Sequence, residues 1–419
     1  MASRAGQLRA RHDMTQRLYY ENAYQQEFTA AVLHSIPGPK GATGIMLDRT
    51  CFYPTSGGQP FDRGTLGSQP VEDVVERDGE VVHWIRGQVQ GPSVQGRIDW
   101  VRRFDHMQQH TGQHILSQAF LQVLKAQTTS FHLGEESSTI DLDCAPAQRC
   151  RDCATVEPGA AEAAEDLANQ VVFEDRPVCA RFVTREELPS LELRKLPTVD
   201  KEIRIVQVQG FDLSPCGGTH CSHAGEVGPI AIRKWERRGQ DTRVEFLCGW
   251  RALRDYRWKT GAVNELALAF SIKDRELGAS VHRLIEEASD QRRELHRLHE
   301  ERLDMEAKSL LAGASAWNDI RVVHCAFQDR DPGQVRILAS LLVANARTIA
   351  LLATAGAQAR LVFARSADLS VDMASLLKKT SQHFGGGGGG QPQLAQGGGF
   401  AGQQAGQALE LAYQTLTMM

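Results

Sequence analysis

Two pairs of residues with metal-ligand chemistry share a four-residue separation: His110 and His114 in HMQQHTGQH, and Cys216 and His220 in SPCGGTHCSH. On a helix, positions i and i+4 put both imidazoles on one face, a turn apart. The second pair sits among Pro215, Gly217 and Gly218, which read as a turn, and glycines let a backbone fold closely around an ion. Together the pairs offer three nitrogens and one sulfur, a donor set suited to Zn²⁺. Either pair alone reads as well as a surface or satisfied-core feature; two in one region carry the metal reading. Cys221 and His223 crowd the same loop as substitute ligands. A metalloprotease helix, H-E-x-x-H, places its general-base glutamate directly after the first histidine. Thr111 occupies that position here, which disfavours a peptidase. Cys150 and Cys153, with Cys144 nearby, lack a second pair and read as ordinary cysteines.

A third feature is TCFYPTSGGQPFDRG, where Thr50, Gln59 and Asp62 surround Gly57 and Gly58. These glycines by themselves indicate a hairpin turn. The polar groups around them can hydrogen-bond a small ligand if the turn faces the metal. Between Ile232 and Lys259 there are nine Lys or Arg against four Asp or Glu. Arg233, Lys234, Arg237, Arg238 and Arg243 are candidates for phosphate contacts, and Trp235, Trp250 and Trp258 for base stacking. The same stretch also reads as a strand with a basic solvent face and core tryptophans.

These groups need elements to hold them. At 419 residues the chain is too long for one ordinary core. It has an ordinary composition and a net charge of −4, which argues against a protein that coats nucleic acid but leaves local basic patches open. No apolar run is long enough to span a membrane. Nine cysteines without a secretion signal suit reduced thiols in a cytoplasmic protein. The Arg-rich, acid-free start, MASRAGQLRARH, reads as a disordered leader, with Met14 an alternative start and an organelle transit peptide a weaker reading.

Residues 18–104 alternate short apolar runs with PGPKG, TSGGQP, GTLG and RDGE, as a small β-barrel or an open sheet would. A helix is expected from about Asp105 to Leu124, followed by strands and a helix start in PGAAEAAEDLANQ. Between residues 270 and 310, Leu277, Val281, Leu284, Leu295, Leu298 and Met305 follow an imperfect heptad, which predicts an arm joining two domains. The last hundred residues read as helix, buried strands, the glycine-rich GGGGGGQPQLAQGGG and a helical tail. That glycine run would normally be a flexible linker, but an amphipathic helix follows it directly.

In order, the motifs resemble the editing domain of alanyl-tRNA synthetases and its free-standing relatives, the AlaX proteins. The family's D-x-T-x-F-Y…G-G-Q-x-x-D-x-G is matched by Asp48, Thr50, Phe52, Tyr53 and GGQPFDRG. Its H-T-x-x-H-L-L is matched by HTGQHIL and its C-x-G-T-H by CGGTH. The glycine-rich stretch is similar to the C-terminal domain of alanyl-tRNA synthetase, which implies tRNA binding and, in some members, a homodimer. A chain opening on the β-domain leaves no room for an aminoacylation core, so a long-form trans-editing factor is expected. A threonyl-type editing domain lacks this CGGTH pattern, and a phosphoesterase would show an Asp-His-His triplet that is absent.

The resemblance implies an α+β multidomain fold. Its expected parts are a leader over 1–17, a β-barrel over 18–104, a zinc-containing α/β editing domain over 105–254, a helical arm over 255–312 and a C-terminal α/β domain over 313–419. It implies zinc-dependent hydrolysis of the ester on tRNA(Ala) mischarged with serine or glycine. Zn²⁺ either lowers the pKa of a water or holds the substrate. His132 and Asp212 are the expected water-positioning groups, and Thr50, with Gln59, the expected reader of the serine hydroxyl.

Overall fold

A computed structural model describes residues 15–143, 158–195 and 203–418. The leader up to Met14, and Cys144, Cys150 and Cys153, lie outside the described residues. The chain divides into two compact units, Met1–Glu265 and Leu266–Met419.

The first unit begins with strands β1 (Glu27–Pro37), β2 (Ala42–Leu47), β3 (Gly64–Leu66), β4 (Gln69–Arg77), β5 (Glu80–Arg86) and β6 (Ser93–Ile98). They pair in the order β1-β2-β5-β4-β3-β6, and β6 returns to β1, closing a barrel. Alternation drives it: along β6, Val94 and Ile98 point inward while Ser93, Gln95 and Arg97 face out. Leu47, Phe52, Leu66, Val74, Val81 and Ile85 fill the interior.

Helix α1 runs Trp100–Leu124, five residues earlier than the expected start at Asp105. The N-cap is Asp99, whose carboxylate accepts the Arg102 backbone N–H at 3.2 Å. Four antiparallel strands follow, β7 (Gln127–Leu133), β8 (Ser138–Asp143), β12 (Ile230–Arg238) and β13 (Asp241–Cys248), in the order β12-β13-β8-β7. Between them in sequence come α2 (Pro158–Phe173) and a three-stranded sheet of β9 (Val178–Val183), β10 (Ile203–Val208) and β11 (Asp212–Pro215). Met107, Ile115, Phe120, Val171, Val206 and Phe246 share one core, so α1 is buried between these layers. Helix α3 (Trp250–Phe270) then runs through the division between the units.

The second unit holds α4 (Leu277–Ala312), whose heptad residues Leu284, Leu295, Leu298 and Met305 are exposed. The expected single arm is thus two helices, with a break at Ser271–Glu276. After it come β14 (Ser315–Trp317), β15 (Ile320–Gln328), α5 (Pro332–Val343), β16 (Thr348–Ala355), β17 (Gln358–Arg365), α6 (Met373–His383), β18 (Gly387–Gln391), β19 (Leu394–Ala401) and α7 (Ala405–Thr417). One mixed sheet runs β14-β15-β16-β17-β19-β18. Its central strand β16 is buried on both faces: Ile349 and Leu351 pack with α6 and α7, Ala350 and Leu352 with α5. The glycine run is no linker. Gly387–Gly390 form the edge strand, and a Cβ on Gly388 would lie 2.5 Å from Gly397 Cα and 2.6 Å from the Leu377 side chain.

Candidate metal centre

The two four-spaced pairs converge. One ligand atom from each of His110, His114, Cys216 and His220 lies within 4.8 Å of every other. Cys216 Sγ is 3.3 Å from His110 Nε2 and 3.3 Å from His220 Nε2. The helix supplies two ligands and the turn after β11 supplies the others. Gly218 makes their meeting possible, since a Cβ there would sit 2.2 Å from the His110 ring.

Each histidine is oriented through its other ring nitrogen. Gln59 Oε1 accepts the Thr219 backbone N–H at 3.2 Å while Gln59 Nε2 donates to Thr219 Oγ1 at 2.9 Å. With that amide orientation set, His110 Nδ1, at 2.8 Å, must donate to Gln59 Oε1, which leaves the Nε2 lone pair free to bind an ion. His114 Nδ1 lies 3.0 Å from Asp212 Oδ2, and Asp212 is held in turn by Arg194 Nε at 2.7 Å and Ser214 Oγ at 3.0 Å. His220 Nδ1 faces Thr111 Oγ1 at 3.4 Å, and that hydroxyl accepts the Cys221 N–H at 3.0 Å. The residue in place of the protease glutamate therefore positions a ligand. Arg204 donates to the carbonyls of Cys216 and Gly218, pinning the turn.

The protein groups alone are electrostatically poised for a cation. Burial opposes ionisation of Cys216, but His110 and His220 beside it bring the thiol well below its ordinary value. Burial also disfavours charge on His114; the hydrogen bond it donates to Asp212 and the nearby Cys216 sulfur outweigh it and raise its pKa to about 9. Burial likewise works against the Asp212 carboxylate, but His114 and Arg194 bring it down to about 2. His220 is lowered to about 3 by burial. His114 Nε2 is buried without any hydrogen-bond partner, pointing among the other three ligand atoms. An orphaned nitrogen, a thiolate and two further imidazoles fit a Zn²⁺ ion. His106, one turn back, stays outside the cluster; burial and the neighbouring Arg102 and Arg251 lower it to about 3, so it is neutral.

The other expected site residues divide sharply. Gly57 lines a cavity of about 210 Å³ with His110, Gln113, His114, Thr128, Ser130, Phe131, Ser214 and Cys216. Gly58 carries β7 against the turn: its carbonyl accepts the Leu133 N–H at 3.0 Å. Gln59 and Asp212 support ligands. Thr50 is not brought to the cavity. It is fully buried in the barrel, with Oγ1 2.8 Å from His83 Nε2 and accepting the Phe52 N–H at 3.0 Å. Asp62 is likewise spent internally, accepting the Tyr53 N–H at 2.7 Å and pairing with fully buried Arg103. His132 is exposed: Phe131 packs on the His110 ring at 5.1 Å, and strand alternation turns the next residue to the opposite face.

Of the basic set, Arg243 makes a two-pronged pair with Asp141 at 2.7 and 2.8 Å. Arg233 and Lys234 share Glu245, at 3.0 and 3.6 Å. Arg237 Nε donates to the Gly239 carbonyl, and Arg238 is exposed on β12. Trp235 packs against the core, while Trp250 and Trp258 are exposed. Charge counting included Glu245 but not that it faces Arg233 and Lys234, and it missed Asp141, which reaches Arg243 from β8. Arg194 and Arg204 carried no spacing signal at all, and Thr219 was visible only as a letter of the CGGTH motif.

Comparison with known proteins follows the same division. Residues 203–245 match the threonyl and alanyl tRNA synthetase second additional domain, and residues 319–418 match the DHHA1 domain. The alanyl-tRNA editing protein AlaX-L of Pyrococcus horikoshii is 31% identical over 404 residues, covering 92% of this chain and 94% of that protein. The chain belongs to the AlaX-L family. An alanine–tRNA ligase of Methanothrix thermoacetophila is 33% identical over 92% of this AlaX-L-family chain, which spans only 43% of the ligase. The C-Ala domain of Aquifex aeolicus alanyl-tRNA synthetase is 26% identical, covering 25% of this chain and 97% of that structure, with a TM-score of 0.24. Among the described residues no helix is long and apolar enough to cross a membrane.

Proposed function

We propose that the protein is a zinc-dependent aminoacyl-tRNA hydrolase that edits in trans, deacylating tRNA(Ala) mischarged with serine, and also with glycine. The observation that carries this reading is the four-ligand cluster, three of whose members line a small cavity that has no glutamate among its described lining residues. An aminoacyl ester is easier to cleave than a peptide bond, so a site without a strong base suits it. Bound Zn²⁺ would supply Lewis-acid polarisation there. The chain's own residues do the rest: Gln59, Asp212 and Thr111 hold the three imidazoles, and the cavity volume of about 210 Å³ admits a small aminoacyl group.

Arg237 and Arg238 on β12, with Trp250 and Trp258, are the groups left to meet RNA; Arg233, Lys234 and Arg243 contribute after exchanging their carboxylate partners for phosphates. The second unit supplies further tRNA contact and a homodimer interface. The free thiols of the described residues suit a reducing, cytoplasmic setting.

The test is deacylation of seryl-, glycyl- and alanyl-tRNA(Ala) by the intact protein and by Cys216→Ala/His220→Ala, with zinc measured in both. The expected result is stoichiometric zinc and hydrolysis of the seryl and glycyl esters, both lost in the variant. A zinc-free wild type of equal activity would sink the reading.

A further inference from the structure

Thr50 cannot read a substrate hydroxyl while its own oxygen is committed inside the barrel, so another group must make that distinction. Three glutamines on α1 face inward, and they differ in what they have left to offer. Gln109 is spent at both ends on Cys248, its Oε1 accepting the backbone N–H at 2.9 Å and its Nε2 donating to the carbonyl at 3.0 Å. Gln108 donates to the Glu226 carbonyl and lies over Gly249, away from the cavity. Gln113 is different. It is 6% exposed and lines the cavity, three residues after His110 and so beside it on the helix surface. Its Nε2 donates to Ser117 Oγ at 2.8 Å, and Thr128 Oγ1 donates to the same oxygen at 2.7 Å. The amide is anchored at its nitrogen end, and among the described residues Oε1 meets no donor.

Resting on the hydrolase reading above, we propose that Gln113 is a specificity-determining residue whose Oε1 accepts the side-chain hydroxyl of a seryl ester. Oε1 opens to the cavity, so an aminoacyl group that fills the cavity takes it from solvent; a hydroxyl then restores the lost hydrogen bond and a methyl group does not. Serine is therefore held for cleavage, while alanine leaves the acceptor unpaired and is passed over. Glycine has no β-carbon to cover Oε1, so the acceptor stays open to solvent and the ester is cleaved without that bond. The anchor through Ser117 and Thr128 keeps the amide from turning its nitrogen to the substrate.

The test compares wild type, Gln113→Met and Ser117→Ala on seryl-, glycyl- and alanyl-tRNA(Ala), with zinc content measured in each. Gln113→Met should lower kcat/KM for the seryl ester about tenfold or more and leave the glycyl ester near wild type. Ser117→Ala, which frees the amide, should lower the seryl-to-glycyl ratio by a smaller factor. Equal loss on both esters would mean that Oε1 holds the shared α-ammonium, which overturns the proposal. If Gln113→Met fails to retain zinc, Ser117→Ala decides, and an unchanged ratio there overturns it. A wild type active on seryl-tRNA with unaltered ratios in both variants defeats this inference alone. A wild type that cleaves none of the three esters defeats the hydrolase reading with it.

Discussion

Helices α1 and α4 are both dense in polar residues, yet they solve opposite problems. Helix α1 buries Arg103, Gln109, His110, Thr111, Gln113, His114 and Ser117. Five of these seven are met by partners far away in sequence, and Gln113 and Ser117 by each other. Helix α4 buries only Ser280, Leu303 and Ala307, and its charges pair locally, as Arg297 does with Glu294 and Glu301. Desolvated polar groups are costly unless satisfied, so α1 can keep its set only in one arrangement. Exposed pairs are solvated either way and specify little. Polarity alone therefore does not mark function; polarity that has been taken out of water and still matched does.

That contrast breaks most completely at the ligands. Cys216→Ala/His220→Ala should reduce ester hydrolysis to background and abolish zinc uptake, read by metal analysis and single-turnover deacylation. Next comes the buried ion pair that ties α1 to the barrel segment. Asp62→Ala strands Arg103 without its counter-ion and should cost about 3–5 kcal/mol in denaturant unfolding. Removing an orienting group is milder: Gln59→Leu or Asp212→Asn should weaken zinc binding roughly 10- to 100-fold by chelator competition. Thr50→Val leaves the His83 ring without its hydroxyl partner and should cost about 1–3 kcal/mol. It should leave the seryl-to-alanyl preference unchanged in whatever folds. At the far end, Arg297→Ala on α4 should leave the melting temperature and all three deacylation rates within error. A clear loss there would mean that the arm is matched as tightly as α1.

The four residues of the candidate cluster were visible in the sequence because metal-ligand chemistry favours short spacings: four residues on a helix, four across a glycine turn. What the sequence could not display is pairing over distance. Nothing near Gln59 announces His110 as its partner, and nothing near Asp212 announces His114. Thr50 was misread for the same reason, since a motif gives a position but not which way the hydroxyl faces or that His83 waits across the barrel. His132 failed by one residue of strand register, a shift that moves a side chain to the opposite face. The basic stretch was counted correctly, but Asp141 and Glu245 neutralise part of it from adjacent strands. The glycine run was legible as something other than a linker through the helix that follows it, though its role as an edge strand depends on how closely Leu377 approaches.

The convergence of the ligands also has a consequence in time. A chain emerging from the ribosome completes the barrel and α1 well before it makes Cys216 and His220. Domains generally fold as units, the N-terminal parts first during synthesis. Until the CGGTH turn arrives, the paired imidazoles of α1 have neither their thiolate nor Asp212, and Gln59 lacks Thr219 to set its amide. The nascent chain therefore carries two imidazoles of the cluster, unpaired with the rest, until the turn that completes it has been made.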